Sequence, residues 1–207
     1  ADDAPTSTDN VFIGHTAGGG TWDNGADDTD DSNFNVGIGN YVMDAAMDGA
    51  LNNTAMGHSA LNALTTADRN VAIGSGAGDA LTTGGNNTAV GYGSLSTMTV
   101  GNSNVAVGEA AMGAIQAGEV VAGCVAIGYS AFNGGATTDA ANGTIAIGYA
   151  AGTAITVPTH SEENTLVGYT AGTALTVGDG NVAVGAFALD AEDTGHKSVA
   201  IGYESLT

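Results

Sequence analysis

The chain is nearly without positive charge. Its 207 residues hold two basic side chains, Arg69 and Lys197, against 22 Asp and Glu, for a formal net charge of −20 at pH 7. Phosphates need cations opposite them, so nucleic-acid binding by a basic surface is excluded, and anionic membrane surfaces are disfavoured for the same reason. The acidity suits a solvated extracellular surface, a high-salt habitat or divalent cations held between neighbours. A single cysteine, Cys124, rules out an intrachain disulfide. It reads either as a small residue tolerated in its place or as one half of an interchain bridge. Aromatic residues make up only 5% of the chain, too few to fill a thick globular core with rings. A narrow core of stacked Val, Ile, Leu and Ala is within reach. No apolar run approaches the ~20 residues of a membrane span, and there is no signal-peptide apolar stretch. Residues 1–9, A-D-D-A-P-T-S-T-D, form a polar arm resembling the end left by processing, so secretion of a precursor is expected.

One short phrase recurs eleven times: Asn, a β-branched residue, a small residue, an aliphatic, then Gly, as in N-V-A-I-G at 70–74 and N-V-A-V-G at 104–108. Most closing glycines lie 17 or 20 residues apart, and a fixed period of that size marks a repeat architecture. As a strand, the phrase alternates its side chains between two faces. The second and fourth positions carry Val, Ile, Thr and Met, and a core under them predicts an all-β fold, a parallel β-solenoid of about eleven 17–20-residue rungs over residues 10–207. An acidic insertion occupies about 19–34. The glycine suits a sharp bend where a Cβ would clash. Further apolar contacts follow it, among them Leu64, Leu81, Met98, Ile115, Ile155 and Leu175. The leading Asn, present in eight phrases, reads either as a ladder of stacked amides or as a residue that tolerates the turn.

The middle position is then expected on the outside, where Ala55, Ala72, Ala89, Ala106, Ala126, Ala146, Ala183 and Ala200 would form a dry strip. Such a strip suggests an oligomer seam, a covering loop of the same chain, or compactness alone. At the two ends Val11, Ile13, Val199 and Ile201 would present open rungs for axial stacking on another copy, which does not close and yields a filament.

The tails of the phrase, N-T-A-V-G-Y-G-S-L at 87–95, C-V-A-I-G-Y-S-A-F at 124–132 and S-V-A-I-G-Y-E-S-L at 198–206, resemble two related groups. These are the head domains of trimeric autotransporter adhesins and the repeats of phage tail-fibre-like surface proteins. The resemblance spans residues 10–207 and implies a β-roll, often trimeric, used for adhesion or as a fibre shaft. The period here is longer than the adhesin head repeat. No heptad stalk, anchor or chaperone domain follows, which favours a separately secreted subunit or a mature fragment.

Few residues point to chemistry. Asp23, Asp27, Asp28, Asp30 and Asp31 cluster in the insertion, where hard oxygen ligands would suit Ca²⁺ but the spacing is not that of an EF-hand; a solvated acidic loop is the alternative. Trp22 reads as a recognition residue or a packing plug. Tyr92, Tyr129, Tyr149 and Tyr169, each directly after the closing glycine, form a stripe suited to glycans, to a neighbouring fibre or to simple edge packing. His15 and His58 share that position without metal-ligand spacing. No Ser-His-Asp or Cys-His arrangement assembles, and repetition accounts for the glycines. The expected role is a non-enzymatic, secreted subunit of an extracellular filament whose partner is itself. The alternative is an adhesin or tail-fibre segment that binds a cell-surface glycan. An ice-binding solenoid would need threonines in register, and Thr65, Thr66, Thr82 and Thr83 do not extend across enough repeats.

Overall fold

The computed structural model describes residues 9–20, 32–118, 120–134, 142–155, 162–191 and 194–207. These residues hold eleven three-residue strands: β1 (Val11–Ile13), β2 (Val36–Ile38), β3 (Thr54–Met56), β4 (Val71–Ile73), β5 (Thr88–Val90), β6 (Val105–Val107), β7 (Val125–Ile127), β8 (Ile145–Ile147), β9 (Thr165–Val167), β10 (Val182–Val184) and β11 (Val199–Ile201). They pair in sequence order into one parallel sheet, so each repeat is one coil of a β-solenoid. Register is strict. Val105 pairs with Val125 across a 20-residue step as Val71 pairs with Thr88 across a 17-residue one. The extra residues of the longer rungs therefore lie in the return segments, outside the sheet.

Each strand between the two edges is tied at both ends. The first amide donates to the carbonyl before the next strand, as Val71 N–H does to Asn87 at 2.9 Å. The closing glycine donates back to the preceding rung, as Gly74 does to Met56 at 2.8 Å. At Gly128, φ is +132°, and a Cβ would run into the carbonyl of Gly148 on the next rung. That is a conformation and a close approach only glycine meets.

The face assignment expected from the sequence is reversed. The middle residue of each strand points inward: Ala72, Ala106, Ala126, Ala146 and Ala183 are fully buried, as are Ala55 and Ala200 within 1%, and Ala89 within 3%. The Val and Ile columns on either side of it point outward. The reason is volume. The coil is narrow, and its opposite wall already supplies Leu61, Leu64, Leu81, Leu95, Met98, Met112, Ile115, Phe132, Ile155, Leu175 and Leu189, all buried. Opposite these large side chains there is room on the strand side for a methyl or, at Gly37, a hydrogen.

The leading amides also lie inside. Asn35, Asn53, Asn70, Asn87, Asn104, Asn164 and Asn181 are buried and hydrogen-bonded rung to rung. Asn87 Nδ2 donates to Asn70 Oδ1 at 3.1 Å and to the Gly101 carbonyl at 2.7 Å. Its Oδ1 accepts from Asn104 N at 3.0 Å and Asn104 Nδ2 at 3.1 Å. Both donors and both lone pairs of the amide are thus used, which is what burial of a polar group demands. The same pattern links Asn53 to Asn35, Asn70 to Asn53 and Asn181 to Asn164.

Candidate functional site

Two outward features run along the coil. The first is the aliphatic face. Its inner column reads Val11, Val36, Thr54, Val71, Thr88, Val105, Val125, Ile145, Thr165, Val182 and Val199. Its outer column reads Ile13, Ile38, Met56, Ile73, Val90, Val107, Ile127, Ile147, Val167, Val184 and Ile201. None of these positions carries a charge, and none is buried. Strand spacing of ~4.8 Å makes the strip ~50 Å long, and two columns of side chains make it ~10 Å wide. Its area, on the order of 500 Å², stands at the upper end of the apolar patches that monomeric proteins expose.

The alanines expected to form an outer seam, Ala55, Ala72, Ala89, Ala106, Ala126, Ala146, Ala183 and Ala200, are inside this chain and reach no partner. The outward face belongs instead to the Val, Ile, Thr and Met columns, which hydrophobicity alone assigns to the core. Val11 and Ile13 on β1, and Val199 and Ile201 on β11, lie on the two edge strands, with Val199 63% and Ile201 69% exposed. They are the terminal members of the aliphatic strip.

The second feature is aromatic. Tyr129, Tyr149 and Tyr169 occupy successive rungs, with ring centroids 5.0 and 5.1 Å apart and planes within 12° in both pairs. Phe187 and Tyr203 extend the row in edge-on contacts at 5.4 and 5.7 Å. A second, shorter row joins His15, Tyr41 and His58, again edge-on. Tyr92 is 67% exposed, and the equivalent positions on its neighbouring rungs are Ser75 and Glu109. Stacking hides the ring faces of the central tyrosines from each other's solvent side, so their accessible parts are ring edges and hydroxyls.

Other expected site residues separate from these faces. Cys124 replaces Asn in the amide column and takes its rung-to-rung bond, donating N–H to Asn104 Oδ1 at 3.0 Å. Its side chain is buried, and that burial pushes the thiol up to about 11. Asp79 is likewise raised by burial, with backbone hydrogen bonds partly opposing it. Asp179 is lowered, chiefly by its hydrogen bond to His196. Trp22 and the candidate calcium ligands Asp23, Asp27, Asp28, Asp30 and Asp31 lie outside the described residues. Among the described residues, no three His, Cys, Asp or Glu side chains gather as a metal site, and no helix is long and apolar enough to cross a membrane.

The segment after each closing glycine shares the interior volume with the strand. Four residues after the closing glycine the backbone is left-handed, with φ of +48° to +56° at Leu61, Leu95, Met112, Phe132 and Leu189. Glycine takes that place in four rungs, as Gly18, Gly78, Gly152 and Gly172. A Cβ on Gly18 would meet the Phe12 ring, one on Gly78 would meet Leu61 Cδ2 at 3.0 Å, and one on Gly152 or Gly172 would meet Leu166 at 2.9 or 2.8 Å. Each of these glycines thus faces a large side chain from its own or an adjoining rung. No protein-family model, curated protein or solved structure matches the chain.

Proposed function

We propose that this chain is a non-catalytic β-solenoid subunit of an extracellular fibre, built from copies of itself associating along the aliphatic face. The observation that carries this reading is the uncharged strip of Val, Ile, Thr and Met spanning all eleven strands. Two such strips in contact would bury about 1,000 Å², the lower bound for a specific interface. The high negative charge keeps other surfaces hydrated and disfavours association through them, whereas this face carries no charge. The repeated β-roll phrase, which resembles adhesin heads and fibre shafts, agrees with a secreted, mechanical role. Axial growth is a second component of the proposal. β1 and β11 are the edge strands of a parallel sheet, and β11 of one copy stacked on β1 of the next would continue the same register.

The test is a matched pair of variants. Val107→Lys with Ile147→Lys charges the outward face; Ala106→Lys forces a long side chain into the interior. Sedimentation velocity and electron microscopy should show wild-type oligomers or filaments, the outward double variant as a folded monomer with intact far-UV circular dichroism, and Ala106→Lys as unfolded. A wild-type chain that remains monomeric at tens of micromolar, or an outward variant that keeps its oligomer, overturns the reading.

A further inference from the structure

The tyrosine row has a geometry that assembly does not explain. Of six tyrosines in the chain, only Tyr129, Tyr149 and Tyr169 have another phenol as nearest ring neighbour. Tyr41 sits between His15 and His58, Tyr203 meets Phe187, and Tyr92 has Ser75 and Glu109 on the adjoining rungs. The three rings are held at a fixed separation by the ladder beneath them. The Tyr129 carbonyl accepts from Ala150 N–H at 2.9 Å, and the Tyr149 carbonyl from Thr170 N–H at 2.8 Å. They are also accessible, at 46, 49 and 50% exposure. Phenols kept side by side at the surface are poised for oxidative coupling.

We propose that Tyr129, Tyr149 and Tyr169 form a cross-linking site at which a peroxidase-type one-electron oxidant joins neighbouring rungs through dityrosine. Each of two phenols gives up one electron and one proton, and the resulting phenoxyl radicals carry spin on the carbons ortho to oxygen. A carbon–carbon bond forms between two ortho carbons, and each carbon passes its ring hydrogen to oxygen, which restores both aromatic rings. One hydrogen peroxide takes up the two electrons and two protons and leaves as two waters. The rings must turn from face-to-face to edge-to-edge, a rotation about χ2, the broad and soft torsion of an exposed tyrosine. Pairing on adjacent rungs converts a bimolecular coupling into an intramolecular one, with the rate advantage that fixed proximity confers.

The consequence suits a chain with a single cysteine. A bond between Tyr129 and Tyr149 closes one whole coil, as a disulfide would, and restricts the unfolded state in the same way. The link lies within one chain, so it stands or falls independently of the fibre reading.

The experiment oxidises an equal mixture of ¹⁵N-labelled and unlabelled full-length chain with horseradish peroxidase and hydrogen peroxide. Peptide mapping then separates links within a chain, of single isotopic composition, from mixed links between chains. The expected result is dityrosine fluorescence with Tyr129–Tyr149 and Tyr149–Tyr169 links, each lighter by two hydrogens and isotopically unmixed. Tyr149→Phe preserves the ring stack and removes the central phenol; it should lower the within-chain yield about ten-fold or more. Tyr92→Phe should leave it unchanged. Absence of within-chain links in the wild type, or an undiminished yield in a Tyr149→Phe chain of wild-type circular dichroism, overturns the proposal.

Discussion

Replacing Asn87 by Ala should be among the most damaging single truncations in the solenoid, although it removes only an amide. Asn87 makes four side-chain hydrogen bonds, two given and two accepted. Alanine leaves the Asn104 backbone N–H, one Asn104 Nδ2 proton and the Gly101 carbonyl without their partners, all in the interior. Orphaning a buried polar group costs about 1–3 kcal/mol. Partial relaxation of the flanking rungs places the total at about 4 kcal/mol. Asn10 supplies the control. It is half-buried and makes two such bonds, to the Ser32 carbonyl and from Asn35 N–H, both at 2.8 Å. Asn10→Ala, with water at hand, should cost about 1 kcal/mol. Urea unfolding followed by circular dichroism gives the global comparison. Solenoids open locally, so native-state hydrogen exchange at the Asn104 amide gives the local one. If Asn87→Ala costs no more than Asn10→Ala, and the Asn104 amide keeps its protection, the buried amide column is not what holds adjacent rungs together.

Two further outcomes follow from the interior. At pH 8 a thiol raised to about 11 is roughly one part in a thousand thiolate, so Cys124 should react with iodoacetamide far more slowly in the native chain than in 8 M urea; equal rates would contradict its burial. Leu166→Ala should cost about 2–4 kcal/mol through the cavity it leaves, and Gly172→Leu should destabilise by overpacking. The double variant should be more stable than the sum of the two by at least 1 kcal/mol, read from urea midpoints.

The fold was legible because its strongest signal is periodic. The eleven phrases coincide with the eleven strands, and the Val105–Val125 pairing shows that a three-residue change in rung length leaves the register alone. The inside and outside of the strand were harder. Hydrophobicity alone favours burying Val and Ile over Ala, and tertiary volume decided otherwise. A decisive hint lay in parity. The leading Asn and the middle residue are two apart, so they share a face. If Asn70 belongs to a buried amide column, Ala72 must be buried with it, and Val71 and Ile73 must face out. The site residues were legible in part. Tyr129, Tyr149 and Tyr169 follow the closing glycine in plain sequence, but their mutual stacking depends on two consecutive 20-residue steps holding one register.

The interior is filled by exchange of volume between positions and between adjacent rungs, with no constant residue. Most rungs place Ala in the strand and Leu, Met or Phe four residues beyond the glycine, accepting a left-handed backbone at a large side chain. That conformation costs on the order of 1 kcal/mol, which the burial of Leu61 or Phe132 offsets. Where the far position is glycine, a large side chain covers it and the backbone penalty disappears: the Phe12 ring lies over Gly18, Leu61 over Gly78, and Leu166 over both Gly152 and Gly172. The rungs of Ala72 with Gly78 and of Ala146 with Gly152 supply no large residue at either position, yet their strands keep the common register. Leu61 and Leu166, each from an adjoining rung, fill that space instead. Volume is thus balanced between neighbouring rungs and not within each one, so Leu166→Ala should loosen two rungs at once.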